Sequence, residues 1–190
     1  MPYEIVTLAD VGSMPEPEET GTTYWENARI KALAYAHATH LTTIAEDSGF
    51  EVDALGGEPG VQSARFLGAA TPYPDRFAEI YRRLATDRPK GWSPPTPSGS
   101  DKPLGLSCSA RFVTALAVAR GHELLFETES TIEGIVAPEP RGQYGFGYDP
   151  IFLYPPLGGT LAELSDDQKA TVSHRARAFR DLHAWLKTRE

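Results

Sequence analysis

The sequence predicts an α/β or mixed α+β fold, and three observations point there. Helix-like and strand-like stretches alternate along the chain. Two capping-box patterns open helical segments, and Gly- and Pro-bearing stretches separate the periodic ones. Residues 3–8 (YEIVTL) read as a strand, followed by a Pro- and Glu-rich connection over 10–19. Thr23, with Glu26 three residues later, caps a helix over the Ala-rich stretch 24–38. Residues 42–45 read as a short strand ending at Glu46 and Asp47, and Gly56, Gly57, Pro59 and Gly60 mark a loop. Asp75 is expected to cap a second helix with Phe77, Ile80, Tyr81 and Leu84 on one face. Residues 88–106, rich in Pro, Ser and Gly, can bury little and read as a flexible surface loop. Residues 110–119 and 123–135 read as two strands joined in a hairpin at Gly121-His122. A Gly- and aromatic-rich segment follows at 141–154. Ser165 with Gln168 opens a short helix, and Ser173 starts the last one, with Ala176, Phe179, Leu182 and Leu186 at helical spacing. There is no internal repeat or heptad array.

A chain of 190 residues suffices for one compact domain or two small lobes sharing a core. We expect a single domain over 1–190, with 88–106 as a loop insertion. The net charge of −8 argues against broad binding to DNA or RNA, which needs a basic surface to displace counterions. A nucleotide remains possible, because a metal ion and a few local cations can offset its phosphates. The single cysteine, Cys108, excludes an intrachain disulfide and reads as a small buried side chain. No apolar run is long enough to span a membrane, and the N-terminus lacks a basic, apolar signal pattern, so the expected location is the cytoplasm.

Three constellations could carry chemistry. Glu18, Glu19, Glu46 and Asp47 lie in two polar segments separated by one helix, which can bring both to the same end of a sheet. Clustered carboxylates favour either protonation or a hard cation such as Mg2+; the alternative is a solvated acidic loop. Glu26 needs no catalytic role, since helix capping explains it. In YGFGYDPIF (144–152), Gly145 and Gly147 let the backbone approach a ligand, Phe146 or Tyr148 could stack on a planar base, and Asp149 could accept hydrogen bonds from ring N–H groups. A glycine-kinked strand edge with core aromatics accounts for the segment equally well. In KATVSHRARAF (169–179), a helix capped by Ser173 puts His174 and Arg175 in its first turn, where free N–H groups suit an anionic or carbonyl oxygen, and Lys169 lies just upstream. A basic surface turn is the other account. His37, His40, His122 and His183 share no metal-ligand spacing.

Taken in order, EETGTTYWENARIKA (18–32), AEDSGFEVDALGGEPGVQSARF (45–66), GFGYDPIF (145–152) and AELSDDQKATVSHRARA (162–178) resemble the inosine/xanthosine triphosphate pyrophosphatase family. The resemblance implies a two-lobed fold with a central mixed sheet flanked by helices and a substrate cleft between the lobes. It implies hydrolysis of non-standard purine nucleoside triphosphates to monophosphate and pyrophosphate, by a Mg2+-dependent homodimer. Asp47 matches the family's base, and Glu19 and Asp47 its metal-binding acids. Lys31 matches a phosphate-contacting lysine, against a plain reading as a solvated helix lysine, and Ser48 matches a substrate contact. Phe146, with Gly147, Tyr148 and Asp149, matches the purine-binding segment. Arg175 and backbone N–H groups near His174 would donate to the 6-keto oxygen of hypoxanthine or xanthine, with Lys169 assisting. Adenine presents an amino donor there, and a donor facing a donor is rejected strongly.

One part of the family pattern has no counterpart. The family usually begins with a strand and an Asn-x-x-Lys loop that grips the triphosphate, whereas residues 3–8 match its second strand and no such loop precedes Glu18. Glu46 also stands where many relatives carry Asp. Two expectations follow: the sequence starts at a downstream methionine of a longer protein, or it is a short form, a weak or inactive nucleotide-binding or dimerising relative.

Overall fold

The structure, a computed structural model, describes residues 3–86 and 109–189. The expected 88–106 loop and Cys108 lie outside the described residues. The elements are α1 (Leu8–Val11), α2 (Tyr24–Thr39), β1 (Thr43–Val52), β2 (Pro59–Gly60), α3 (Tyr73–Thr86), β3 (Ser109–Arg120), β4 (Glu123–Val136), β5 (Phe152–Tyr154), β6 (Gly159–Thr160), α4 (Asp166–Val172) and α5 (His174–Lys187). The strands form one sheet in the order β2-β1-β3-β4-β5-β6. The α/β architecture is the expected one, but among the described residues every strand pairing is antiparallel rather than mixed.

Capping explains the helix starts. The Thr23 hydroxyl accepts from Glu26 N, and the Glu26 carboxylate accepts from the N–H groups of Thr22 and Thr23, so Glu26 is committed to the cap. Ser165 and Gln168 repeat the arrangement at α4, and Ser173 Oγ accepts from Ala176 N at α5. The β3–β4 hairpin turns at Gly121-His122 as expected, with Arg120 opposite Glu123.

The expected strand at 3–8 is absent. Thr7 donates from both its N–H and its hydroxyl to the Asp10 carboxylate, at 2.7 and 2.6 Å, and this local cap opens the four-residue α1. Residues 3–7 pair with no strand among the described residues, and Ile5, Val6 and Leu8 stay exposed. An unpaired segment has nowhere to place its backbone hydrogen bonds except water, so strand propensity alone does not hold it extended. Glu46 and Asp47 do not end a strand; β1 runs through them to Val52. Helix α3 begins at Tyr73, so Asp75 sits inside its first turn rather than capping it, while Phe77 and Ile80 are buried as expected. In α5 the buried positions are His174, Ala178 and Leu182, and Phe179 is exposed.

The sheet is covered on both faces, so β3 reads as a nearly continuous buried run. On one face, Ala28, Ala32 and Ala36 of α2 meet Val113, Ala115, Ala117 and Ala119 of β3; small side chains on both partners bring helix and sheet close. On the other face, Leu116 and Val118 pack on Ala178 and Leu182 of α5. A larger cluster joins Phe50, Phe112, Phe152 and Ile132 to Phe77 and Ile80 of α3. No helix among the described residues is long and apolar enough to cross a membrane.

Candidate functional site

Strand β1 has its inner half buried on both sides, so the period-two alternation of its side chains sends neighbours to different layers. Asp47 pairs in register with Ala115 and belongs to the α2 face; Glu46 and Ser48 pair with Leu116 and Thr114 and belong to the α5 face. The two adjacent acids therefore face different layers.

On the α2 face, Asn27 and Lys31 stand four residues apart and project together toward β1. Lys31 Nζ reaches Glu19 Oε1 at 2.6 Å and Asp47 Oδ1 at 2.8 Å. Asn27, 1% exposed, donates from Nδ2 to Asp47 Oδ2 at 3.2 Å, while its Oδ1 accepts from Gly21 N at 2.9 Å. Arg65 Nη1 donates to Glu19 Oε2 at 2.7 Å. Acids and cations thus alternate in the order Arg65, Glu19, Lys31, Asp47. Burial pushes the Asp47 carboxyl above the ordinary aspartate range, outweighing Lys31 and Asn27, and the nearby Glu19 charge adds to the rise. Glu19 faces the same upward pull from burial, but two cations bond it and hold it below the usual glutamate range. Burial alone would depress the Lys31 ammonium, yet bonds to both carboxylates raise it.

On the α5 face lies a cavity of about 190 Å3, lined in part by Ser48, Phe50, Tyr73, Phe112, Phe146 and Arg175. It exceeds the ~150 Å3 that admits a benzene ring. Phe146 is 63% exposed and flanked by cations, with Lys169 Nζ 5.4 Å and Arg175 Cζ 4.9 Å from its ring centre. Tyr148 is buried beneath, its ring stacked on Phe50 at 5.0 Å and its hydroxyl donating to Ser63 O at 2.9 Å, which leaves Phe146 as the open ring of the pair. Asp149 accepts from Phe146 N at 2.9 Å and pairs with Lys169. Gly145 makes this possible: its φ is +77°, and a Cβ there would lie 2.2 Å from Asp149 Oδ2 and 2.6 Å from Lys169 Nζ. Gly147 also has positive φ and lines the cavity.

His174, 6% exposed, stacks on Phe112 at 5.0 Å with the rings 4° apart, and its Nδ1 is buried with no hydrogen-bond partner among the described residues. Burial, reinforced by the Arg175 and Lys169 charges, pushes the imidazole down to about 3, so it is neutral near pH 7. Arg175 Nη2 donates to Ser48 Oγ at 2.8 Å and pairs with Glu46 Oε1 at 3.0 Å.

The structure thus gathers the sequence-predicted residues into two groups: Glu19, Lys31 and Asp47 on one side of β1, and Ser48, Phe146, Gly147, Tyr148, Asp149, Lys169, His174 and Arg175 on the other. Sequence reasoning assigned no part in the site to Asn27 or Arg65. Asn27 was legible, being one helical turn before Lys31 on the same face. Arg65 was not, because its partner lies 46 residues away. Among the described residues no three His, Cys, Asp or Glu side chains are grouped to hold a metal. Glu19 and Asp47 nevertheless suit a hard cation. They are oxygen donors that already share one positive charge, the Lys31 ammonium, and Mg2+ commonly uses only one or two carboxylates.

Comparison with known proteins adds the following. A family model described as the Ham1 family matches residues 1–185. A dITP/XTP pyrophosphatase of Exiguobacterium sp. is 42% identical over 182 residues, 96% of this chain and 84% of the relative. A dITP/XTP pyrophosphatase of Bacillus subtilis is 42% identical over 185 residues, 97% of this chain and 85% of the relative. The structure of a HAM1 protein from Coxiella burnetii superposes with a TM-score of 0.78 at 35% identity, covering 92% of this chain and 81% of that one.

Proposed function

The chain belongs to the Ham1 family, and from that premise we propose that it hydrolyses non-standard purine nucleoside triphosphates (ITP, dITP and XTP) to the monophosphate and pyrophosphate. The observation that carries this is the division of labour across β1, with an acid–lysine cluster on one face and a purine-sized cavity beside an open phenylalanine on the other. Within one strand, Asp47 and Ser48 put a phosphate-cleaving group and a base-binding group next to each other.

Pyrophosphatases of this family depend on a metal ion; the proposed ion is Mg2+, held by Glu19 and Asp47. When bound, it supplies charge neutralisation at the phosphates and lowers the pKa of bound water. Asp47, held in orientation by Asn27, accepts the proton of the attacking water or orients that water against the phosphate. Lys31 and Arg65, which neutralise the acids in the free protein, turn to the phosphate oxygens of the substrate. At the other end, Phe146 stacks on the purine. Arg175 and the N–H groups at the start of α5 donate to the 6-keto oxygen, and Lys169 and Asp149 border the same cavity. A 6-amino group leaves those donors unpaired once the base covers them, which disfavours ATP. The resemblance also supports a single domain over 1–190 acting as a homodimer in the cytoplasm.

The test is pyrophosphate release from ITP, XTP, dITP and ATP with Mg2+. We expect release from the first three, little from ATP, and a loss of roughly 10²–10⁴ in kcat for Asp47→Asn with folding intact, the range for removing a general base. No release from ITP or XTP would overturn the proposal. An inactive nucleotide-binding relative is the competing class. The complete Glu19–Lys31–Asp47 cluster and alignment to pyrophosphatases along nearly the whole chain do not favour it.

A further inference from the structure

Glu46 neighbours Asp47 in sequence but takes no part in the Glu19–Lys31–Asp47 cluster. Its carboxylate is fixed at both ends on the α5 face. Oε2 accepts from Thr114 Oγ1 at 2.9 Å, and Thr114 is fully buried. Oε1 lies 3.0 Å from Arg175 Nη2, the nitrogen that also donates to Ser48 Oγ. One corner of the guanidinium is thereby pinned to two β1 side chains. Only Nη2 of this guanidinium is hydrogen-bonded among the described residues; Nε is buried, and the N–H groups of Nη1 are left to donate to a ligand.

We infer that Glu46 is a positioning residue for base selection: it fixes the Arg175 fork so that the unused N–H groups meet the purine, and it touches neither the metal nor the phosphates. The inference rests on the nucleotide-binding function proposed above. An arginine has many rotamers, and an unpinned one loses freedom on binding any base. Pinned beforehand, it rewards the acceptor of a 6-keto purine and penalises the donor of a 6-amino purine. A carboxylate suits this use, because its charge-assisted bond outcompetes water for the guanidinium. If Glu46 were only a surface ion pair, its loss would change stability slightly and all nucleotides alike.

The experiment is calorimetric binding of IMP and AMP, which needs no hydrolysis, to the full chain and to Glu46→Gln, Arg175→Ala and the double variant. We expect the wild type to favour IMP, and Glu46→Gln to cut the IMP/AMP affinity ratio by about tenfold, the scale of one charge-assisted hydrogen bond. In the Arg175→Ala background Glu46→Gln should change the ratio no further. Thr114→Val, which frees the other end of the carboxylate and keeps the buried shape, should lower the ratio by a smaller factor and serves if Glu46→Gln folds poorly. The half-saturating Mg2+ concentration for ITP turnover should stay the same in Glu46→Gln. A ratio near one in the wild type, an unchanged ratio in both Glu46→Gln and Thr114→Val, an equal loss in the Arg175→Ala background, or a tenfold weaker Mg2+ dependence overturns the inference. Pyrophosphate release by the same wild-type preparation tests the hydrolytic function separately.

Discussion

Lys31 bonds two carboxylates at once, and this shapes how each of them titrates. Glu19 gains a second cation from Arg65 and stays low; Asp47 has only the ammonium and a neutral amide, and burial wins. The raised Asp47 carboxyl is a better proton acceptor than an ordinary aspartate, which suits a base. In the metal-free protein, the carboxyl carbon of Asp47 followed by NMR should titrate above the ordinary value of 3.8. In Lys31→Met it should titrate higher still, because the one cation that opposes burial is gone and Glu19 remains. A downward move in Lys31→Met would contradict the assignment of Lys31 as the charge that opposes burial. The variant should also lose turnover if Lys31 serves the phosphates as proposed, since its ammonium bonds both acids.

At the scale of elements, α3 supports the site through one buried cation. Arg76 is 2% exposed and donates to the carbonyls of Ser63 at 2.8 Å, Thr71 at 3.0 Å and Gly68 at 3.1 Å, with its guanidinium 4.8 Å from the Tyr73 ring. These carbonyls belong to the turn that carries Arg65 and that receives the Tyr148 hydroxyl. The turn has little regular structure, so the guanidinium replaces the ladder bonds it lacks. Arg76→Met keeps the bulk but leaves several buried carbonyls unpaired, and should cost about 3 kcal/mol in urea unfolding. The KM for ITP should rise with it, because Arg65 loses its platform. The same scale explains the segment at 3–8. A Thr7–Asp10 cap was readable in the sequence as the same signal that marks α2 and α4, and it outweighed the strand-like run before it.

For the whole molecule, three layers put a neutral histidine at the start of α5 against the aromatic core. His174 lies against Phe112 with an imidazole pushed down to about 3 from 6.5. Between those values the unfolded chain binds a proton that the folded chain refuses, so stability is complete above pH 6.5 and declines as the pH falls below it. The slope from this one group is about 1.4 kcal/mol per pH unit. His174→Phe keeps a ring on Phe112 and removes the titration. The stability difference between wild type and variant, from chemical unfolding at pH 5 and pH 7, should shift by that order. An unchanged difference would mean that the imidazole takes up its proton in the fold as readily as in the unfolded chain.

The sequence by itself determined what is local. The caps of α2, α4 and α5 and the β3–β4 turn rest on contacts within a few positions and are readable from spacing, whereas the candidate site residues are named by the family resemblance of four separate stretches. Tertiary structure alone decided which residues work together. Arg175 meets Ser48 across 127 positions, and Arg65 meets Glu19 across 46. Above all, it decided the two faces of β1. Two adjacent acids look equivalent as a sequence pair, and only a strand with a helix packed on each side makes them different. Asp47 then turns to Lys31 and Glu19, and Glu46 turns to Arg175 and Thr114. The physical reason is the strand's period of two, which takes its meaning from what covers each face.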